Sequence, residues 1–373
     1  MTVSKRRGPL LTLAVASLVL SSLVFSFFVF GSHTAQASGG GGFNAPGNLL
    51  ISDQFNNRVI EVDRHHNIVW QFGVGPTDLT ANSILGVNDA QRVGDLTLMA
   101  GTGIPGGQAQ APSCTDPGGC PDNRVMLVDR AGNIVWQYGT FGVTGSGPNQ
   151  LSTPVQDTYL PNGDILITDQ ANERVIEVNR AKEIVWQYGT TGMIGPTGTP
   201  DLGDNWLNNP NSAELLQNGH ILISDENNNR AIEVNRDKHI LRTFTAGGTV
   251  SGVAFSSRLE NGDTLLTDSN NSRIVEVNAA DTVVWQYVTN TEAGSNPSPL
   301  PTRAVRLDNG HTLISDQFNH RVIEVNRKGR IVFSEGVLNQ LGFGGGLLNS
   351  PYDAKVIGDY TGLTPPFGDE GND

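Results

Sequence analysis

The side chains whose types and spacing suit chemistry are carboxylates and arginines. Asp-x4-Arg occurs five times, as Asp53/Arg58, Asp169/Arg174, Asp225/Arg230, Asp268/Arg273 and Asp316/Arg321. A carboxylate at the head of a tight turn accepts backbone N–H groups, and an arginine just past it can reach that carboxylate or the neighbouring blade with a charge-assisted bond. One active site needs such a pair once, so five copies in equal register indicate a structural staple. A second set does not repeat: Asp89, Gln156, Asp157, Ser212, Arg303 and Asp353, placed by alignment to Asn-Gly turns. If these residues converge on one axis, their carboxylates could bind a divalent cation or raise one another's pKa. The plainer expectation is a polar, water-filled channel. No cofactor is otherwise predicted, and the catalytic residues are left open. Cys114 and Cys120 are too few for a metal site and are not spaced Cys-x-x-Cys, so they predict a small-loop disulfide in an oxidising compartment.

The elements that must position these residues recur along the chain. The segment 162–189 reads NGDILITDQANERVIEVNRAKEIVWQYG, and similar segments occupy 218–244, 261–287 and 309–336. A first copy begins near Gly47, and another is broken by an insertion, 102–122, that holds both cysteines. The anchors Asp53, Gly101, Asp169, Asp225, Asp268 and Asp316 are spaced 48, 68, 56, 43 and 48 residues apart. Asn-Gly before an alternating apolar run is a hairpin signal, because both residues tolerate the positive φ of a type I′ turn. Each copy parses into four short strands, the first lying upstream of Asn-Gly. Six copies of irregular length point to a six-bladed all-β propeller rather than a solenoid of fixed pitch.

The ends are complementary. The first copy lacks a first strand, whereas 348–358 matches a first strand with nothing after it. Pairing of the two would close the ring and remove exposed edges. Trp70, Trp136, Trp186 and Trp285 share one register in the fourth strand and are expected to pack between blades. The propeller is predicted over 43–363, preceded by a Gly-rich lead at 38–42 and followed by an acidic, disordered tail at 364–373.

Residues 1–37 read as a secretory signal or an uncleaved membrane anchor. Lys5, Arg6 and Arg7 precede an uncharged apolar run at 10–30, and Ala35-Gln36-Ala37 is a small-x-small cleavage site. Either reading puts the rest of the chain outside the cytoplasm, secreted or surface-anchored, with membrane contact only through this segment. Removing it lowers the formal charge from −13 to −16. Such acidity opposes binding to phosphate backbones, so nucleic acid is excluded as a partner. A monomer is expected, with a protein or small-molecule ligand on a propeller face.

Asp-x-x-Asn-x-Arg-Val before an apolar strand resembles the NHL-repeat propellers. The NG-x-x-LIS-D…EVNR…IVWQYG pattern resembles the bacterial arylsulfotransferase propellers, most clearly at Asn211-Ser212-Ala213, Asn218-Gly219 and Ile223-Ser224. The similarity covers 43–358 and is carried by blade motifs, which specify fold rather than activity. The arylsulfotransferase resemblance implies a histidine nucleophile in the central channel. The histidines beyond residues 1–37, His65, His66, His220, His239, His311 and His320, fall on turns and hairpins and never on a first strand. Two function classes therefore stand: a binding or interaction scaffold, and an enzyme with a channel site, arylsulfotransferase-like or a metal-dependent hydrolase or lactonase.

Overall fold

The computed structural model describes residues 42–366. The signal or anchor segment, most of the Gly-rich lead and residues 367–373 lie outside the described residues. Six four-stranded antiparallel sheets form a six-bladed β-propeller. Blade 1 contains Leu49–Asp53, Arg58–Val62 and Ile68–Phe72, and its innermost strand is the C-terminal Pro351–Val356. Leu50 pairs with Lys355 and Ile51 with Ala354, so the two chain ends share one sheet, as their complementary patterns predict. The innermost strands of blades 2 to 6 are Val87–Val93, Pro154–Tyr159, Pro210–Leu215, Val253–Arg258 and Arg303–Arg306.

The apolar core is divided among the seams. Ile51, Ile60, Val322 and Leu348 meet between blades 6 and 1, for example, and Ile167, Ile176, Leu127 and Tyr138 between blades 2 and 3. Alternation along each strand feeds the seam on either side, so neither face of an inner sheet is left to solvent.

The five Asp-x4-Arg pairs are ion pairs. Arg58 reaches Asp53, Arg174 reaches Asp169, Arg230 reaches Asp225, Arg273 reaches Asp268 and Arg321 reaches Asp316, with Nε to Oδ2 distances of 2.6–3.0 Å. Each pair spans a short 3-10 turn whose last residue is left-handed: Asn57, Glu173, Asn229, Ser272 and His320, with φ of 50–56°. The same Oδ2 accepts the side-chain amide of Asn56, Asn172, Asn228, Asn271 or Asn319. In blades 1, 3, 4 and 5 the other oxygen accepts a backbone N–H from the chain entering the blade, such as Ser152 at 2.7 Å in blade 3. Side chains at the left-handed position stitch onward: Asn57 accepts the Gly86 amide, Asn229 that of Gly252 and His320 that of Ser350.

The spacing leaves each arginine to reach its own carboxylate or the neighbouring blade; the carboxylate pairing holds, and the further bonds go to the connection that enters the arginine's own blade. Arg230 also donates to the carbonyls of Leu202 and Trp206, in the connection that leads into blade 4. Arg273 donates to the carbonyl and hydroxyl of Thr249 in the connection into blade 5, and to Gln286 on the fourth strand. Arg273 is also the outlier in burial, with its side chain 20% exposed against 4% for Arg230. The reason is geometric: Nε is spent on the aspartate, and the two terminal nitrogens of a rigid fork must find acceptors beyond the turn.

Blade 2 reaches the same arrangement by another route. Gly101 occupies the anchor position, and a Cβ there would lie 2.5 Å from Oδ2 of Asp122. Asp122 fills the missing carboxylate's place, pairs with Arg124 at 2.6 Å and accepts the Leu85 amide. The insertion is partly regular, because Leu96–Ile104 and Cys120–Asp129 continue as paired strands as far as Ile104 and Cys120.

The fourth-strand tryptophans act across the seams, through polar contacts as well as packing. Each indole N–H donates to a backbone carbonyl in the next blade: Trp70 to Arg130, Trp136 to Arg180, Trp186 to Arg236 and Trp285 to Arg327, at 3.0–3.2 Å. The last three of those arginines also lie over the indole that bonds them, a cation–π contact worth about 0.5–1 kcal/mol at an exposed site. At the blade 4–5 seam the parts are exchanged. Arg242 replaces the tryptophan and donates to the carbonyl of Ala279, which stands where the other blades have arginine.

Candidate functional site

Six inner strands converge, and the backbone register makes Asp353, Asp89, Gln156, Ser212, Phe255 and Arg303 equivalent. They pair respectively with Ser52, Ala100, Thr168, Ser224, Thr267 and Ser315 on the second strands. Five of the sequence candidates are therefore one structural position seen in five blades. The following position is Ala354, Ala90, Ala213, Ser256 and Ala304 in five blades, small because the strands crowd there, and Asp157 in blade 3.

Asp89, Asp353, Arg303 and Asp157 come together, joined by Lys355. Arg303 donates to Asp89 at 2.5 Å and pairs with Asp353. Lys355 Nζ lies 2.7 Å from Asp89 and 2.6 Å from Asp353, and it also donates to the Ala90 carbonyl. The Arg303 guanidinium lies 4.1 Å from the centre of the Phe255 ring. All five ionisable side chains are buried, Asp89 and Asp353 at 0% exposure and Lys355 at 8%. The cationic groups bonded to these carboxylates are the chain's own.

Burial sets the electrostatics. Burial would raise the pKa of Asp89, but Lys355 and Arg303 overcome it and hold that carboxyl below its ordinary value. Burial and the neighbouring Asp89 charge drive Asp157 well above the carboxylate range. Neither oxygen of Asp157 has a hydrogen-bond donor, and its backbone N–H points at Asp89 at 3.4 Å. A protonated Asp157 beside an ionised Asp89 satisfies both facts, since like charges in a dry site cannot both persist. Asp353 is raised by burial despite Arg303 and Lys355.

The remaining candidates stand aside from this cluster. Gln156 bridges to blade 4, donating to Glu214 and accepting the Ala213 amide. Ser212 faces a seam, where its hydroxyl donates to Ser224, which donates to Ser256. A small residue on that strand leaves a gap that the neighbouring blade's hydroxyl fills.

The side chains around the channel axis are buried, so the polar channel expected from the sequence is closed to bulk solvent. At the end carrying the 3-10 turns, Tyr352 of blade 1 crosses to blade 4 and bonds Asn211 at 3.0 Å. Beside it, Gln317, Gln54 and Asn88 form a buried amide chain. The insertion, stapled by the Cys114–Cys120 disulfide, lies over this sector. Ile104, Ala111 and Cys114 pack with Phe55 of blade 1, and Phe318 of blade 6 adds to the cluster. At the other end the chain returns after its last strand. Thr364 is buried and bonds Glu214 through both N–H and hydroxyl, while its carbonyl accepts Gln91. Thr364, expected to begin a disordered tail, is thus a plug. Arg303, Lys355, Phe255 and Thr364 are all buried. Among the described residues no group of three or more His, Cys, Asp or Glu side chains is arranged to hold a metal ion.

Sequence reasoning missed Lys355, Glu214, Tyr352 and Thr364. The first two lie one pleat beyond the equivalent position, at i+2 on the same strands, so the period-2 rule could have found them.

No family model matches the chain, and no curated protein sequence matches it. Among solved structures, a protein of unknown function from Bacteroides caccae is similar with a TM-score of 0.53 at 15% identity, covering 82% of this chain and 98% of that one. A virginiamycin B lyase from Staphylococcus aureus gives 0.47 at 13%, over 78% and 84% of the two chains. A streptogramin B lyase gives 0.49 at 12%, over 80% of each. At such identities the likeness is one of fold, and the fold is a six-bladed β-propeller.

Proposed function

We propose that this protein is an extracytoplasmic binding scaffold, secreted or held at a membrane by residues 10–30, that engages a protein or small-molecule partner on a propeller face. The observation that carries the reading is the closed channel. Its acids and bases neutralise one another without access to solvent, whereas a catalytic group must reach its substrate. The disulfide is consistent with an oxidising compartment. The blade motifs shared with NHL and arylsulfotransferase propellers support the fold more than any activity, and no histidine lies on an inner strand.

A second reading, an enzyme with its site in the channel, draws on one observation: Asp157 is a buried carboxyl held in its neutral form, as general acids are. A screen on aryl sulfates and lactones, with metal analysis and with Asp157→Asn and Asp353→Asn as controls, separates the two. The scaffold reading expects no turnover above the variants. Turnover lost in either variant would sink it.

A further inference from the structure

The channel end that carries the first-to-second turns is closed by chain that belongs to no strand. Residues 359–366 follow the last inner strand, Pro351–Val356, and pair with no sheet. From Asp359 to Leu363 each residue is half-buried, whereas Thr364 is 2% exposed. The tightest contacts gather on that residue. Its N–H donates to Glu214 Oε2 at 2.9 Å, and its hydroxyl donates to the same oxygen at 2.6 Å. The hydroxyl also accepts the Leu215 amide at 3.0 Å, and the Thr364 carbonyl accepts Gln91 Nε2 at 3.1 Å. Backbone donor, backbone acceptor and side chain are thus each read. Elsewhere the segment touches the rim: Asp359 accepts the amide of exposed Asp308 at 3.0 Å, and the Tyr360 hydroxyl reaches the Arg92 carbonyl at 3.5 Å.

The groups that hold Thr364 are fixed by bonds in which it takes no part. Glu214 Oε1 accepts Gln156 at 2.8 Å, and Gln91 Oε1 accepts the Tyr159 amide at 2.7 Å. Both side chains are buried, Glu214 at 3% exposure and Gln91 at 4%. The Leu215 N–H is free to bond because an innermost strand presents an unpaired edge to the axis. Burial raises the pKa of Glu214, and the Thr364 hydroxyl is the strongest of the groups that oppose the rise. An empty slot would strand a buried carboxyl, a cost that any occupant with the same three groups removes. Nothing in this recognition depends on the covalent path from Val356 to Thr364.

We infer that Gln91, Glu214 and Leu215 form a binding slot for a hydroxyl-bearing residue, Thr or Ser, of a partner's peptide segment, and that Thr364 fills it as an intramolecular competitor. The competitor can leave without breaking a sheet, because residues 359–366 are held by docking alone and such segments open locally. Phosphorylation of the partner residue excludes it: the phosphate removes the proton that Glu214 accepts and sets negative charge against a carboxylate. The inference rests on the scaffold reading and names the chemistry of its partner.

The test uses the full chain, as wild type and as Thr364→Val, with a fluorescein-labelled synthetic peptide of residues 359–366 read by anisotropy. The peptide binds the Thr364→Val chain at least about tenfold more tightly than the wild type, whose own segment holds the slot at a high effective concentration. A peptide with Thr364→Val, which keeps the shape and lacks the hydroxyl, binds that chain at least about tenfold more weakly, and one with Thr364→Ser binds within about threefold. A second measurement needs no variant: in the wild type, native-state hydrogen exchange finds the Leu363 and Thr364 amides protected at least about tenfold less than those of Asp353 to Val356. Binding that ignores the hydroxyl, equal binding to both chains, no binding to the Thr364→Val chain, or exchange of those two amides as slow as in the last strand overturns the inference. Turnover in the screen on aryl sulfates and lactones would fail the scaffold reading and leave these measurements standing, so the two failures are read apart.

Discussion

The turn staples and the channel cluster use the same chemistry to opposite purpose. Both join aspartates to cations in buried sites. The staples recur with the same Arg and Asn partners in five blades and with a substituted aspartate in the sixth, whereas the channel set occurs once and draws Asp353 and Lys355 from blade 1, Asp89 from blade 2, Asp157 from blade 3 and Arg303 from blade 6. Repetition makes each staple locally sufficient: Asp169 keeps bonds from Ser152 and Asn172 even without Arg174, and Asp225 keeps those from Asn208 and Asn228 without Arg230. The reserve behind Arg303 is thinner: without it Asp89 and Asp353 share the single Lys355 ammonium, and each keeps one long backbone N–H, from Asp157 at 3.4 Å and from Ala90 at 3.3 Å. Symmetry distributes risk, and the axis where symmetry breaks concentrates it.

The largest expected effect tests that contrast. Arg303→Met should lower the free energy of unfolding by about 3–5 kcal/mol, the cost of stranding buried carboxylates, against about 1.5–3 for Arg174→Met. Urea titrations of both variants measure the gap, and equal losses would erase the distinction. Next comes the odd blade. Gly101→Asp restores the repeat's consensus yet should cost about 3 kcal/mol, because the new carboxylate meets Asp122; Asp122→Ser in that background should recover most of it. Thermal unfolding of the single and double variants checks the compensation, and an innocuous Gly101→Asp would mean that Asp122 does not fill the anchor's place.

The third prediction concerns pH. The unfolded chain titrates Asp157 near its ordinary value of about 3.9, but the fold holds the proton well above that. The wild type's stability from this group is fully present below about pH 4 and is lost as pH rises toward the folded pKa, about 1.4 kcal/mol for each unit of upward shift traversed. Asp157→Asn carries no such loss, so its advantage over the wild type should grow from pH 4 to pH 7, measured by urea unfolding at each. A difference that stays flat or shrinks would mean that Asp157 is ionised in the fold. The smallest effect lies at the circumference. Trp186→Phe keeps the ring over Arg236 but loses the bond to its carbonyl, at a cost of about 1 kcal/mol by thermal melt.

Much of the ring was legible because its signals are periodic. Asn-Gly turns, alternating strands and the Asp-x4-Arg spacing recur, and the split first strand showed as two partial copies. Spacing could pair Arg230 with Asp225 and Arg273 with Asp268, but it could not show the reach of each guanidinium into the connection before its blade, because those connections share no pattern. The channel was legible only by position: aligning inner strands to the turns picked out five of six equivalent residues. It could not show that Ser212 would serve a seam while Lys355 and Glu214, two residues along their strands, would serve the axis. Composition misdirected at Thr364, whose Pro- and acid-rich neighbourhood reads as tail although its backbone and hydroxyl fill a buried site. Asp122 was hidden because the insertion shortens Asp-x4-Arg to Asp-x-Arg. The one clue was Gly101, the single anchor without a carboxylate.

The C-terminal strand in blade 1 also governs timing. Until Pro351–Val356 is available, Leu49–Asp53 has an open edge and blade 1 cannot meet blade 6, so the ring remains unsealed until that strand has been made. A chain exported as proposed benefits from such a delay, because it reaches the far side before it can lock. The last strand serves as the clasp that seals the ring.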